Sequence, residues 1–240
     1  MSGGSPSLSL LRHDLASIRR DQVLRNIVGL MLAILLIAAL IRHLGLFAAW
    51  WTNLQILVLL GYGPGIGYLT AMLLVDERDS GVDRALQVVP LPITAILGLR
   101  LSLAYGFVVS YAVLLVLATR MIELPVLLWM APILSLSLGS IWTTVTVPAL
   151  ARDKVQALGL FKGLNLYVQI AALYLFLPRD AWYSDLLLVT PATWAVRSIL
   201  ALADGDVLAG YLWAASGALL WLVLIRVSLG GFLRRQARDP

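Results

Sequence analysis

The side chains that could move a proton, hold a metal or attack a substrate are few in these 240 residues, and their spacing keeps them apart. There is no cysteine, which excludes thiol catalysis, disulfides and cysteine-ligated metal. The two histidines, His13 and His43, flank the first long apolar run, and the glutamates Glu77 and Glu123 flank the third. If those runs cross a bilayer, each pair is split between its two faces and can build neither a metal site nor a catalytic dyad. The chain also lacks GxxxxGK followed by Ser or Thr, which cradles nucleotide phosphates, and the HExxH of zinc hydrolases. Catalytic residues, metal ligands and a cofactor bound by this chain are therefore not expected.

Charge concentrates instead in VDERDSGVDRALQVVPLP (75–92). Ser80 and Asp83 have the spacing of a capping box, whose side chains satisfy the free amides of a helix start. The two turns that follow put Val82, Leu86 and Val89 on one side and Asp83, Arg84 and Gln87 on the other. Pro90 and Pro92 then end the helix. A turn that merely sits in water has no use for an apolar stripe, so the pattern predicts a docking element. LARDKVQALGLFKGLN (150–165), with Arg152 and Lys154 near its head, is likewise charged, short and helical. Two such elements on one face predict a surface for a partner protein. A third stretch, LGYGPGIGYLT (60–70), is glycine-rich but lacks the strand-to-helix setting of a phosphate loop. Its overlaid pairs Gly61/Gly65 and Gly63/Gly67 would let another helix approach closely, and Pro64 predicts a kink. Close packing is the plainer reading; a translocation pathway lined by Tyr62, Pro64 and Tyr68 is the sharper one.

The elements that must carry these stretches follow from composition. Sixty per cent of the residues are hydrophobic and 13% charged, more apolar bulk than a soluble domain of this size can bury. About 20 apolar residues cross a hydrocarbon core of ~30 Å. Six runs are candidates: Ile27–Ile41, Leu54–Val75, Ile93–Ala118, Pro125–Leu150, Leu164–Leu177 and Val207–Val227. The fifth is short and needs Leu158–Phe161 or local thinning to span. Between the last two lies an apolar segment, 186–203, that contains Pro191 and Arg197.

Charge decides what that segment does. With six spans and the N-terminus inside, all but four of the 18 basic residues fall on the cytoplasmic side, Arg100 and Arg226 by snorkelling. Arg42, Arg120, Arg179 and Arg197 remain outside. A seventh span would bury Arg197 and expel the arginine-rich tail. Residues 179–203 are therefore expected to form an outer-surface or re-entrant helical segment, anchored by Trp182, Tyr183 and Trp194. The net charge of +5 then reflects membrane lipids, not nucleic acid. At the N-terminus, 9–26 places Leu11, Leu15, Ile18 and Gln22 on one stripe, which predicts an amphipathic helix along the inner leaflet. Residues 17–21, SIRRD, faintly resemble a twin-arginine signal, but no small-residue cleavage site follows, so removal is not expected. The expected fold is all-α and integral to the membrane. It comprises an interfacial helix (1–26), a six-span bundle (27–227) and a tail (228–240), with both termini cytoplasmic.

LLVDERDSGVDRALQVVPLPITAILGLRL (73–101) resembles the signature of ABC-2 type permeases, with Val89-Pro90 where that family usually has Thr-Pro. ARDKVQALGLFKG (151–163) is similar to the family's loop between the fourth and fifth spans. VTPATWAVRSIL (189–200) is similar to its outer Pro-x-x-Trp segment. The resemblance covers nearly the whole chain and looks closest to the drug-export branch, of which fluoroquinolone-type export permeases are examples. It implies one ABC-2 type transmembrane domain over 1–240, a non-catalytic permease subunit of a bacterial plasma-membrane exporter. It further implies a second permease, identical or related, and two copies of a separate ATPase subunit that binds ATP and Mg. On that basis Asp76, Glu77, Arg78 and Arg84 would position the coupling loop, and Val82, Leu86 and Val89 would supply its apolar contact with the ATPase, beside Arg152 and Lys154. The alternatives are an ATP-independent secondary transporter or channel, and a membrane-embedded enzyme. The first would place an Asp, Glu or Lys within a span core, facing a cavity; the second would gather catalytic side chains at one depth.

Overall fold

The computed structural model describes residues 22–80, 93–179 and 181–236. Among them there is no strand. The helices are α1 (Gln22–His43), α2 (Trp51–Asp79), α3 (Ile93–Thr119), α4 (Val126–Leu150), α5 (Lys154–Gln169), α6 (Pro191–Ala203) and α7 (Val207–Gln236). A 3-10 stretch, Ile170–Leu175, prolongs α5, and another, Trp182–Val189, leads to α6. Six helical segments are long and apolar enough to cross a membrane, and each overlaps one of the six expected runs. Most of the predicted amphipathic segment at 9–26, and the helix expected at 82–89, lie outside the described residues. Gln22–Asn26 form the first turn of α1, continuous with the span.

Helix α4 is the axis of the bundle and packs against α7, α2, α3 and α6. Its buried residues include many small ones, among them Ser135, Gly139, Ser140, Thr143 and Thr144. In lipid there is no hydrophobic drive between helices, so close backbone approach must supply the packing. Three of the hydroxyls bond along the helix itself: Ser140 donates to Ser137 O at 2.7 Å, Thr143 to Gly139 O at 2.9 Å and Thr144 to Ser140 O at 2.8 Å. Thr144 also reaches Gly67 O at 3.0 Å, tying α4 to α2.

The overlaid glycine pairs of α2 separate in function. At Gly67 an added Cβ would stand 2.3 Å from Ser140 O, and at Gly63 it would stand 3.8 Å from Leu136 O. These two glycines face α4. Gly65 meets nothing within 4 Å, and Gly61 meets only the Gln169 side chain at 3.8 Å. Helix α2 continues through Pro64 without interruption.

The fifth span starts earlier than the hydropathy of its core suggests. Helix α5 begins at Lys154 and with its 3-10 extension reaches Leu175, 22 residues in all. Asp153 caps it, accepting from Gln156 N at 2.8 Å, while Gln156 Oε1 accepts from Arg152 N at 2.7 Å. Lys162 therefore sits about 12 Å along the helix and not in a loop.

Helix α6 has 13 residues, about 20 Å, too short to cross. Thr190 caps its start, with Pro191 at the first helical position, and Ala195, Val196, Ile199 and Leu202 are buried. It rests on α7 and α4 as a non-spanning segment, as expected. Trp182 and Tyr183 are exposed, and Trp194 is more enclosed. It is partly buried, donates to Leu188 O at 2.8 Å and packs on Trp213. Arg197 is drawn inward as well. Its guanidinium lies 4.9 Å from the Tyr174 ring and 4.8 Å from the Trp213 ring, and pairs with Asp185. One arginine thus braces the 3-10 stretches on either side of residue 180 together with α6 and α7.

Candidate functional site

The last turn of α2 ends in Asp76, Glu77 and Arg78. Consecutive helical residues point about 100° apart, since 3.6 residues make a turn. Each of the three therefore meets a different helix. Asp76 pairs with Lys154 Nζ at the head of α5, 2.5 Å away. Glu77 receives both terminal nitrogens of Arg100 on α3, at 2.5 and 2.6 Å. Arg78 donates to Pro148 O at 3.1 Å, Ala151 O at 2.8 Å and Arg152 O at 3.4 Å. Pro148 lies in the last turn of α4, Ala151 is its C-cap and Arg152 follows, so Arg78 sits at the negative end of that helix dipole, where carbonyls lack a following turn. Three adjacent side chains so clasp α3, α4 and α5 to α2.

The pairs differ in environment. Arg100 is 3% exposed, and both arms of its guanidinium end on Glu77, a pairing that a charge so buried needs. Asp76 and Lys154 are about half exposed. Beneath the clasp lies a separate apolar cluster of Ala71, Val75, Val147, Ala151 and Ala157, packed by Met72, Leu160 and Leu164. Three of its five buried members are alanines, which lets α2, α4 and α5 converge where their charged ends meet. Ser80 closes α2 by donating to Asp76 O at 2.7 Å and Glu77 O at 3.2 Å. It is thus the C-cap of α2, and the capping box expected between Ser80 and Asp83 lies outside the described residues.

The structure brings Asp76, Glu77, Arg78, Arg152 and Lys154 together at one end of the bundle. Val82, Arg84, Leu86 and Val89 lie outside the described residues, in the connection that leaves this clasp and returns at α3. Tyr62, Pro64 and Tyr68 are buried within the bundle and do not join the site. Tyr62 packs on Tyr111 with ring centroids 5.1 Å apart, and Tyr68 stacks on Phe161 at 4.1 Å. Arg100 is the member that sequence reasoning passed over. The available signal was an arginine set in an apolar run, which needs a partner, with Glu77 the only glutamate at that end. Among the described residues no group of His, Asp or Glu could hold a metal ion.

A helical bundle with six bilayer-length spans, clasped by charged residues at one end, defines a multi-pass membrane protein. Residues 14–229 match the family described as "Fluoroquinolones export permease protein Rv2686c-like", and the chain belongs to that family. This is the drug-export branch of ABC-2 type permeases to which the sequence bears its resemblance. Similar proteins are the fluoroquinolones export permease proteins MT2760 and Rv2686c of two Mycobacterium tuberculosis strains. Each is 26% identical over 177 residues, covering 71% of this chain and 67% of the relative. No solved structure matches the chain.

Proposed function

We propose that this chain is the permease subunit of an ATP-binding-cassette exporter of amphipathic drugs in a bacterial plasma membrane, worked through the clasp by a separate ATPase. The end carrying Asp76, Glu77 and Arg78 faces the cytoplasm. Two copies of the ATPase, with their ATP and Mg, serve two permease subunits, this chain and an identical or related one. The observation that carries the reading is the three-way fan of Asp76, Glu77 and Arg78. A force applied to the connection at 81–92 reaches α2 first, and from there α3, α4 and α5 through contacts of 2.5–3.1 Å. A loop that only closed a turn would need no such linkage. The cargo class follows the printed names of the relatives, and an apolar bundle rich in Tyr and Trp suits fluoroquinolone-like amphiphiles.

The test is reconstitution in liposomes, alone and with the ATPase that co-purifies from the native host. The chain alone should move no fluoroquinolone on addition of ATP, and the complex should. Leu86→Glu should abolish co-purification of the ATPase while leaving membrane insertion intact. Gradient-driven flux through the chain alone, or full transport and co-purification by Leu86→Glu, overturns the reading in favour of an ATP-independent carrier.

A further inference from the structure

We propose that the end of the bundle opposite the clasp binds one membrane phospholipid, its phosphate held by Arg42 and Arg120 and its acyl chains laid along α3. A cavity of about 440 Å³ opens there between the ends of α1 and α3 and the start of α4. Arg42, Val116, Arg120, Ile122, Glu123 and Val126 line it. Arg42 is fixed at the rim. Its guanidinium lies 3.8 Å over the Trp51 ring, its Nε donates to Arg120 O at 3.3 Å, and its Nη2 stands 3.9 Å from Glu123. These contacts orient the cation yet leave its side chain 30% exposed.

Arg120 is exposed, and its guanidinium has no partner among the described residues. Its backbone is left-handed, with φ 42° just past the end of α3. Glycine adopts that conformation freely and closes helices in this way. An arginine there strains the backbone, and what it adds over glycine is a cation at the cavity. Two guanidinium groups and one carboxylate leave one net positive charge, which a phosphodiester neutralises through charge-assisted hydrogen bonds.

The apolar half of the ligand has its own surface. Val116 and Ile122 are buried beneath the charges. From the cavity, exposed Leu117, Leu114, Phe107 and Leu103 continue down one face of α3 at helical spacing. Fourteen residues of helix extend about 21 Å, more than the ~15 Å of one leaflet's hydrocarbon. A free anion would make no use of that stripe, and a neutral diacylglycerol would make no use of the arginines.

Native mass spectrometry of the chain in mild detergent tests this directly, with dioctanoyl phosphatidylglycerol, dioctanoylglycerol and inorganic phosphate titrated separately. One phosphatidylglycerol per chain should bind saturably, and the other two should bind at least about tenfold more weakly. Arg120→Gly, which removes the cation and suits the left-handed backbone, should weaken the lipid about tenfold or more without lowering thermal stability. Equal lipid binding by wild type and Arg120→Gly overturns the proposal. So does equal binding of dioctanoylglycerol, which would show that the phosphate is not read, or of inorganic phosphate, which would show an anion site only. The measurement involves no ATPase, so its outcome is separate from that of the exporter reading.

Discussion

Adjacent carboxylates on α2 enter ion pairs of similar length and very different consequence. Lys154 and Asp76 are about half exposed, and water and salt screen such a pair, leaving roughly 0.2–1 kcal/mol. Arg100 is out of water and bound at both arms by Glu77. Removing either partner strands a charge in a low-dielectric interior, at a cost of about 3–5 kcal/mol. We therefore expect Arg100→Ala and Glu77→Ala each to lower the thermal midpoint in detergent sharply, and Lys154→Ala to change it little. The double variant Glu77→Ala/Arg100→Ala should be more stable than either single one, because no orphan charge remains. A wild-type midpoint for Arg100→Ala would refute the buried pairing. The acidic half of this contact was legible as part of a charged stretch, but its partner was not. Arg100 stands 23 residues away across a connection, and a single arginine near a helix end reads equally well as one that snorkels to the headgroups.

Between elements, the deciding quantity is the distance at which two backbones cross. Gly67 has Ser140 O where its Cβ would be, so Gly67→Ala must push α2 from α4 and should destabilise by about 1–3 kcal/mol. Gly65 on the same helix faces open space, and Gly65→Ala should be neutral or stabilise by up to about 1 kcal/mol. Thermal melting of the two variants side by side separates the faces, and equal losses would refute the assigned crossing. The sequence showed that glycines at this spacing permit a helix–helix contact. It could not show which of the two overlaid pairs is used, since both repeat every four residues and only the position of α4 distinguishes them. The elements themselves were largely legible: six apolar runs became six bilayer-length helices, and Arg197 argued correctly against a seventh. The early start of α5 was missed because Lys154 and Lys162 depress local hydropathy, while the cap by Asp153 and Gln156 sets the boundary. The packing of Trp194 on Trp213 was not legible, because an amphipathic indole suits a membrane interface and a packed helix pair alike.

At the scale of the molecule, the contacts of charged side chains sort largely to the two ends. Arg78, Arg100, Arg152 and Lys154 gather at one. The contacts of Arg42 with Arg120 and Glu123, and of Arg179 with Asp204, lie at the other. The hydrogen bond from Thr146 to Ser228 at 2.8 Å places the later part of α7 beside the clasp end of α4. That alternation is what a chain crossing six times requires, and the excess of basic residues at the clasp end supports the proposal that this end is cytoplasmic, by the positive-inside rule. Meanwhile Leu30, Leu36, Ile37 and Leu40 of α1 stay exposed, as lipid or a second membrane subunit demands and water would not allow. Because the chain has no cysteine, its sidedness can be read from single introduced thiols without a background to remove. Ala181→Cys should react with a membrane-impermeant maleimide in intact cells, whereas Arg152→Cys should react only after permeabilisation. Both positions are on described connections between helices, so neither substitution disturbs a span. Labelling of both from the same face would break the six-span arrangement, and with it the placement of the clasp beside a cytoplasmic ATPase. Labelling reversed between the two would keep the bundle but turn the clasp outward, where no cytoplasmic nucleotide-driven subunit could reach it.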